Sequence, residues 1–267
     1  MSEIPPDSLP DPLIDFVRRH DPDRFFTALF AAREKRGALL ALYAFNHELA
    51  RAREAVTEPA LALIRLQWWR EVVDGAQKRH EVATPLSAAI AAGALDPADL
   101  MALIDSREIE ADAAIPTWQA WRDYVLGGAG SLAVAAGRLL GASEPENLRS
   151  LGAAYGVAGI LRNVPALARQ ARCLLPEDLL AEQDLSPEAV ILRPNSPGLV
   201  PVVARLRAEG LALLAEGRGH RLARLAIPAA LPAVLARRDL RRVDASPGAR
   251  GVGDRLAVVL AAVSGRV

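Results

Sequence analysis

Apolar residues recur at helical spacing along most of the chain, and clean two-residue alternation is absent. Phe25, Phe26, Leu29 and Phe30 fall on one side of a segment from Asp23 to Ala32. Leu39, Leu42, Tyr43, Asn46 and Leu49 repeat at the same period within Glu34 to about Ala55. Proline and glycine fall mostly between such stretches and act as punctuation. The pattern predicts further helices over 12–19, 59–79, 85–92, 97–112, 146–171, 228–242 and 253–263, and one ending near Ala226. A pair over 117–126 and 129–140 brackets "GGAG", and residues 185–201 read as a loop. Ala, Leu, Arg and Glu dominate these segments and favour helix. The helices are too apolar to stand alone, so the prediction is one all-α domain over 1–267, with the proline-rich residues 1–11 flexible.

Composition narrows the picture. Lys+Arg and Asp+Glu both number 32, and a balanced chain lacks the basic excess that nucleic acid selects. A single cysteine, Cys173, excludes a disulfide framework and fits a reducing, cytoplasmic setting. No apolar run reaches the roughly 18 residues of a membrane span, and the polar start does not read as a secretory signal.

Several charged groups admit two readings each. Glu48, Arg51, Glu54 and Glu58 form either a solvated ladder or the remnant of a ligand pocket. Arg33, Lys35 and Arg36 either bind phosphate or face water at a helix start. Asp105, Glu108 and Asp112 read as an exposed acidic face sooner than a metal site. His20, His47, His80 and His220 show no metal-ligand spacing, and Cys173 reads as buried. Trp68 and Trp69 must face different ways, one into the core and one towards a cavity or partner. In the last helix Leu256, Val259, Leu260 and Val263 share a face flanked by Arg255 and Arg266, which either packs on the domain or lies in a membrane interface.

Four stretches together resemble the squalene/phytoene synthase family. Arg36, Ala38, Ala41, Tyr43, Ala44 and Phe45 meet its R-x-A-x-x-A-x-Y-A-F pattern. "LQWWRE" from Leu66, "YVLGGAGSL" from Tyr124 and "GILRNVPALARQARCLLPEDLL" from Gly159 resemble its later landmarks. The resemblance implies an isoprenoid synthase type helical bundle around a central cavity. It further implies head-to-head condensation of prenyl diphosphates, with magnesium held by two aspartate-rich motifs on facing helices.

The departures fall on those motifs. The two aspartates of the first fall on Ala50 and Arg51, its preceding arginine on His47, and only Glu54 keeps an acid. In the second, the metal-side Asn falls on Gly159, the Asp on Asn163 and the closing acids on Ala166 and Leu167, while Arg162 is kept. Pro165 introduces a possible kink. One carboxylate beside a guanidinium cannot build the oxygen shell of a hard cation, so neither magnesium nor another cofactor is expected. Arg33, Arg36, Tyr43 and Arg162 remain candidates for binding a phosphate or other ligand.

"FNHELARAREAVTEPALALIRLQWWREVVDG" resembles the branch related to mitochondrial complex I assembly factor 6 more than the catalytic branches. That likeness implies a non-catalytic role in respiratory complex assembly, with a protein partner. Two alternatives stand beside it. One is an active synthase with relocated ligands, Glu54 with the 105–112 acids. The other is a binding protein for an isoprenoid or lipid in a central cavity kept apolar; independently of these, peripheral contact at the inner membrane is an expectation for a cytoplasmic chain. Whether that cavity is open or filled is not legible in the sequence.

Overall fold

The computed structural model describes residues 12–54, 58–112, 114–218, 222–242 and 250–267; of Glu54 and Pro59 it describes the backbone alone. The expectations for residues 1–11 and His220 lie outside these. Among the described residues there is no strand, only an isolated bridge between Ile115 and Pro176. The helices are α1 (Pro12–His20), α2 (Pro22–Ala28), α3 (Arg33–Glu54), α4 (Pro59–Val73), α5 (Ala83–Ala91) and α6 (Pro97–Asp105). Next come α7 (Trp118–Val125), α8 (Ser131–Leu140), α9 (Arg149–Arg169), α10 (Glu177–Ala181) and α11 (Pro187–Leu192). The last are α12 (Leu199–Arg218), α13 (Ile227–Ala230), α14 (Pro232–Arg241) and α15 (Val252–Ser264).

Local chemistry sets these starts. Asp21, Asp96, Thr117 and Ser186 each accept a backbone N–H at the first turn of α2, α6, α7 and α11. Proline fills an early position of α2, α4, α6 and α11, where its missing N–H costs nothing.

α9 is the central helix. It lies against α8, α12 and α14, and its buried residues face all of them: Leu151, Ala153, Ala154, Val157, Ala158 and Ile160. Gly152 makes that packing possible, because a Cβ there would stand 2.4 Å from the Ala129 carbonyl oxygen and 2.5 Å from the Ala133 Cβ. The helix continues through Pro165 to Arg169 although the ring removes one backbone donor. One large apolar cluster joins residues of α1 to α14, and a second, smaller cluster lies between α13, α14 and α15.

Six expectations need correction. α4 stops at Val73, because Gly75 turns the chain with φ +103°. The 97–112 segment splits into α6 and a 3₁₀ turn, Glu108–Ala111, so Asp105, Glu108 and Asp112 do not share one helix face. "GGAG" is no break: Leu126–Gly130 form a π turn that carries α7 into α8. α11 lies inside the expected 185–201 loop, α12 ends at Arg218, and Pro232 separates α13 from α14.

Candidate functional site: a cationic cavity between two helices

α3 and α9 face one another across a cavity of about 280 Å³. From α3 it is lined by Asn46, His47 and Ala50; from α9 by Tyr155, Gly156, Gly159, Ile160, Arg162 and Asn163. Asp21, Arg24, Arg107, Tyr124 and the π turn complete the wall. Small side chains leave the space. Nothing lies within 4 Å of where a Cβ on Gly159 would stand.

Three guanidinium groups line this space, and each has carboxylates at its back. Arg24 Nη1 donates to Asp21 Oδ2 at 2.9 Å and lies over the Tyr155 ring at 4.7 Å. Arg107 donates to Glu110 Oε1 at 2.6 Å and to Asn46 Oδ1 at 3.1 Å. Arg162 Nη1 stands 3.5 Å from Asp239 and 3.8 Å from Asp23. Asp23 is buried, accepts the Tyr155 hydroxyl at 3.0 Å, and pairs with Arg250 at 2.7 Å. Arg250 also reaches Asp239 at 2.6 Å. Burial alone would lower its pKa, but these two carboxylates raise it above the ordinary arginine value.

Glu110 anchors the wall beside Arg107. It is buried, accepts the Tyr124 hydroxyl at 2.7 Å, and is bound by Arg172 as well as Arg107. Burial pushes its pKa up; the two guanidinium groups outweigh that and hold it below the usual carboxylate range. Burial and the same carboxylate push the Tyr124 phenol up.

His47 is the odd member of the lining. Its ring stacks on His20 at 4.6 Å and meets Phe16 edge-on at 5.5 Å, and its Nε2 is buried with no hydrogen-bond partner. Burial, then the nearby His20, lowers its pKa to about 4, so it is neutral at pH 7.

The structure thus brings together His47, Ala50, Gly159, Arg162 and Asn163 from the two motif stretches. Arg51 turns aside to Glu48 at 3.4 Å, and Glu48 is buried, not part of a solvated ladder. Ala166 and Leu167 are half-buried and do not line the cavity. Nor do Arg33, Arg36 and Tyr43. Arg33 and Lys35 are exposed; Arg36 donates to the carbonyls of Leu29 (2.9 Å) and Ala31 (3.0 Å); Tyr43 is buried below Arg24. Asp105 and Glu108 both hold Arg70 at 2.6 Å. Trp69 and Cys173 are buried, and Trp68 is half-buried against His80. His80 accepts the Val82 and Ala83 N–H groups and so caps α5.

Arg24, Arg107, Glu110 and Tyr155 are among the residues that sequence reasoning did not single out, and Tyr124 entered only as the start of a landmark stretch. One signal was available: Asn46 interrupts an apolar stripe, and a buried polar side chain needs a partner. Magnesium, which the family implies, meets a poor donor set here. Asp21 is the lining carboxylate, and it is engaged by Arg24. No group of three or more His, Cys, Asp or Glu side chains placed to hold a metal occurs among the described residues.

The helical architecture and a cavity between two facing helices define a protein of the isoprenoid synthase fold. It overlays the squalene synthase HpnC from Alicyclobacillus acidocaldarius with a TM-score of 0.70 at 18% identity, covering 85% of this chain and 90% of that one. A dehydrosqualene synthase in complex with ligand overlays with a TM-score of 0.75 at 14% identity, covering 94% of each chain. The squalene/phytoene synthase family profile matches residues 17–261, and this chain belongs to that family. Among its relatives is the "NADH dehydrogenase (ubiquinone) complex I, assembly factor 6" of Mus musculus, 27% identical over 232 residues, covering 83% of this chain and 68% of that protein.

Proposed function

We propose that this chain is a non-catalytic squalene/phytoene synthase-like protein that acts in assembly of respiratory complex I by engaging a protein partner. One observation carries the reading. At helix positions where the family holds magnesium, the cavity presents Ala50, Gly159 and Asn163, with His47, Arg24, Arg107 and Arg162 around them. A magnesium ion needs about six oxygens at octahedral positions, and guanidinium groups repel it. The names of the relatives supply the direction of the reading, from catalysis to assembly.

The relocated-ligand alternative has less support. Asp105 and Glu108 bind Arg70 and do not line the cavity. A small ligand in the cavity fits beside the assembly role, because the space is open but lies just under the about 300–1,000 Å³ of drug-sized sites. Such a ligand would bring an anionic group to the arginines without metal.

Two measurements test the reading together. Deleting the gene in its own organism should lower assembled complex I on native gels, and the wild-type chain should restore it. Purified protein given farnesyl diphosphate and magnesium should release no diphosphate. Magnesium-dependent turnover, or normal complex I in the deletion strain, would overturn the proposal.

A further inference from the structure

α15 uses one face and leaves another bare. Asp254, Val258 and Ala261 are buried, and Val258 and Ala261 close the small cluster with Ile227, Leu231, Val234 and Leu235. The opposite face carries Val252, Leu256, Leu260 and Val263, spaced i, i+4, i+8 and i+11, which are 84%, 55%, 61% and 69% exposed. At 1.5 Å per residue this is an aliphatic line running about 16 Å along the helix. The corresponding expectation put Val259 on this line, but Val259 sits half-buried at its edge.

The charge around this line is one-sided. Residues 232–267 hold seven arginines and three aspartates in a chain whose net charge is zero. Asp254 is bound by Arg238 at 2.5 Å and Arg242 at 2.7 Å, and Asp239 by Arg250 at 2.6 Å. Arg237, Arg241, Arg255 and Arg266 have no carboxylate partner among the described residues. Arg237 shares its surroundings with the guanidinium groups of Arg218, Arg241 and Arg238. Arg237 and Arg241 lie on α14, Arg255 on α15 and Arg266 just past its end, and the four do not line one common pocket, so they suit a diffuse negative surface better than one shaped anion.

We infer that the bare face of α15 docks on the surface of an anionic phospholipid bilayer. The helix lies parallel to the membrane, its aliphatic line at the acyl boundary and the arginines among the headgroups. No helix among the described residues is long and apolar enough to cross a membrane, so the contact is of the lying kind. The inference is independent of the assembly role.

Vesicle flotation of the full chain tests it. Vesicles of phosphatidylcholine with one-third phosphatidylglycerol should carry the protein up; pure phosphatidylcholine should not, and high salt should release it. Leu256→Ser with Leu260→Ser should lower partitioning about tenfold or more. Arg255→Gln and Arg266→Gln should lower it about fivefold each. The replaced leucines are more than half exposed, so the variants should keep the wild-type circular dichroism and melting temperature. No flotation of the wild type at low salt would overturn the inference, as would flotation that the leucine variant retains in full. A wild-type dimer that the leucine variant dissociates, with no flotation, would assign the face to a second copy of the chain instead.

Discussion

Replacing Glu110 by Gln is the sharpest probe of the cavity wall. The substitution keeps shape and leaves an acceptor for the Tyr124 hydroxyl, now 2.7 Å from the carboxylate. It removes a negative charge that both Arg107 and Arg172, largely buried, contact. Breaking a buried pair from one side costs about 3–5 kcal/mol, since the remaining charge keeps its desolvation penalty. For a chain of this size that corresponds to a melting temperature lower by about 6–20 °C. Differential scanning calorimetry at pH 7 measures it. Arg172→Met should cost less, because Glu110 keeps Arg107. The pH dependence supplies an independent check. Glu110 titrates lower in the folded chain than in the unfolded one, where a glutamate has a pKa of about 4.3. Its stabilisation is therefore complete above about pH 4.3 and lost as pH falls through the folded value. The gap between wild type and Glu110→Gln should narrow over that window. A shift under about 2 °C at pH 7, or a gap that does not close in acid, would refute the idea that this carboxylate holds the wall.

Two glycines of α9 should respond oppositely. Gly152→Ala should destabilise by about 2 kcal/mol or more in urea denaturation, because its Cβ would meet the backbone of the π turn. Gly159→Ala should stabilise by about 0.5–1 kcal/mol, since its Cβ enters open space and alanine favours helix. His47 is pushed down to about 4, so its neutral form stabilises the fold above about pH 6.5, and that contribution fades as pH falls towards 4. His47→Gln should flatten the wild-type loss of stability across that window, read from melting temperatures at successive pH values. Adding magnesium or a chelator should leave the melting temperature within about 1 °C, because a ligand shifts stability only if the folded chain binds it.

The helices were legible where punctuation was sharp. α1, α3 and α15 fall within a residue or two of the expected ends, each bounded by proline, glycine or a change of period. What escaped was fine backbone geometry. "GGAG" reads as a break from composition, yet a π turn carries the helix on through those same glycines. The 3₁₀ turn at 108–111 escaped for the same reason, since its acids keep helical spacing on paper. The site divides similarly. The motif resemblance located the positions of His47, Ala50, Gly159, Arg162 and Asn163, because they lie on two continuous helices. It could not supply Arg24, Arg107 or Glu110, which come from other elements. Nor could it pair Arg162 with Asp23 and Asp239, which depends on tertiary approach.

The grip of Arg250 on Asp23 joins residues 227 positions apart. Closing a loop of that length costs roughly 5 kcal/mol in chain entropy relative to a contact between neighbours. During synthesis α2 emerges long before Arg250 does, so Asp23 must wait, with Tyr155 and Arg162 to join it in the interim. α2 is therefore fastened late, by an arginine that leaves the ribosome well after every residue lining the cavity. A nascent chain stalled before that residue should hold α2 less firmly against the bundle, and be an easier target for proteases there than a chain that includes Arg250.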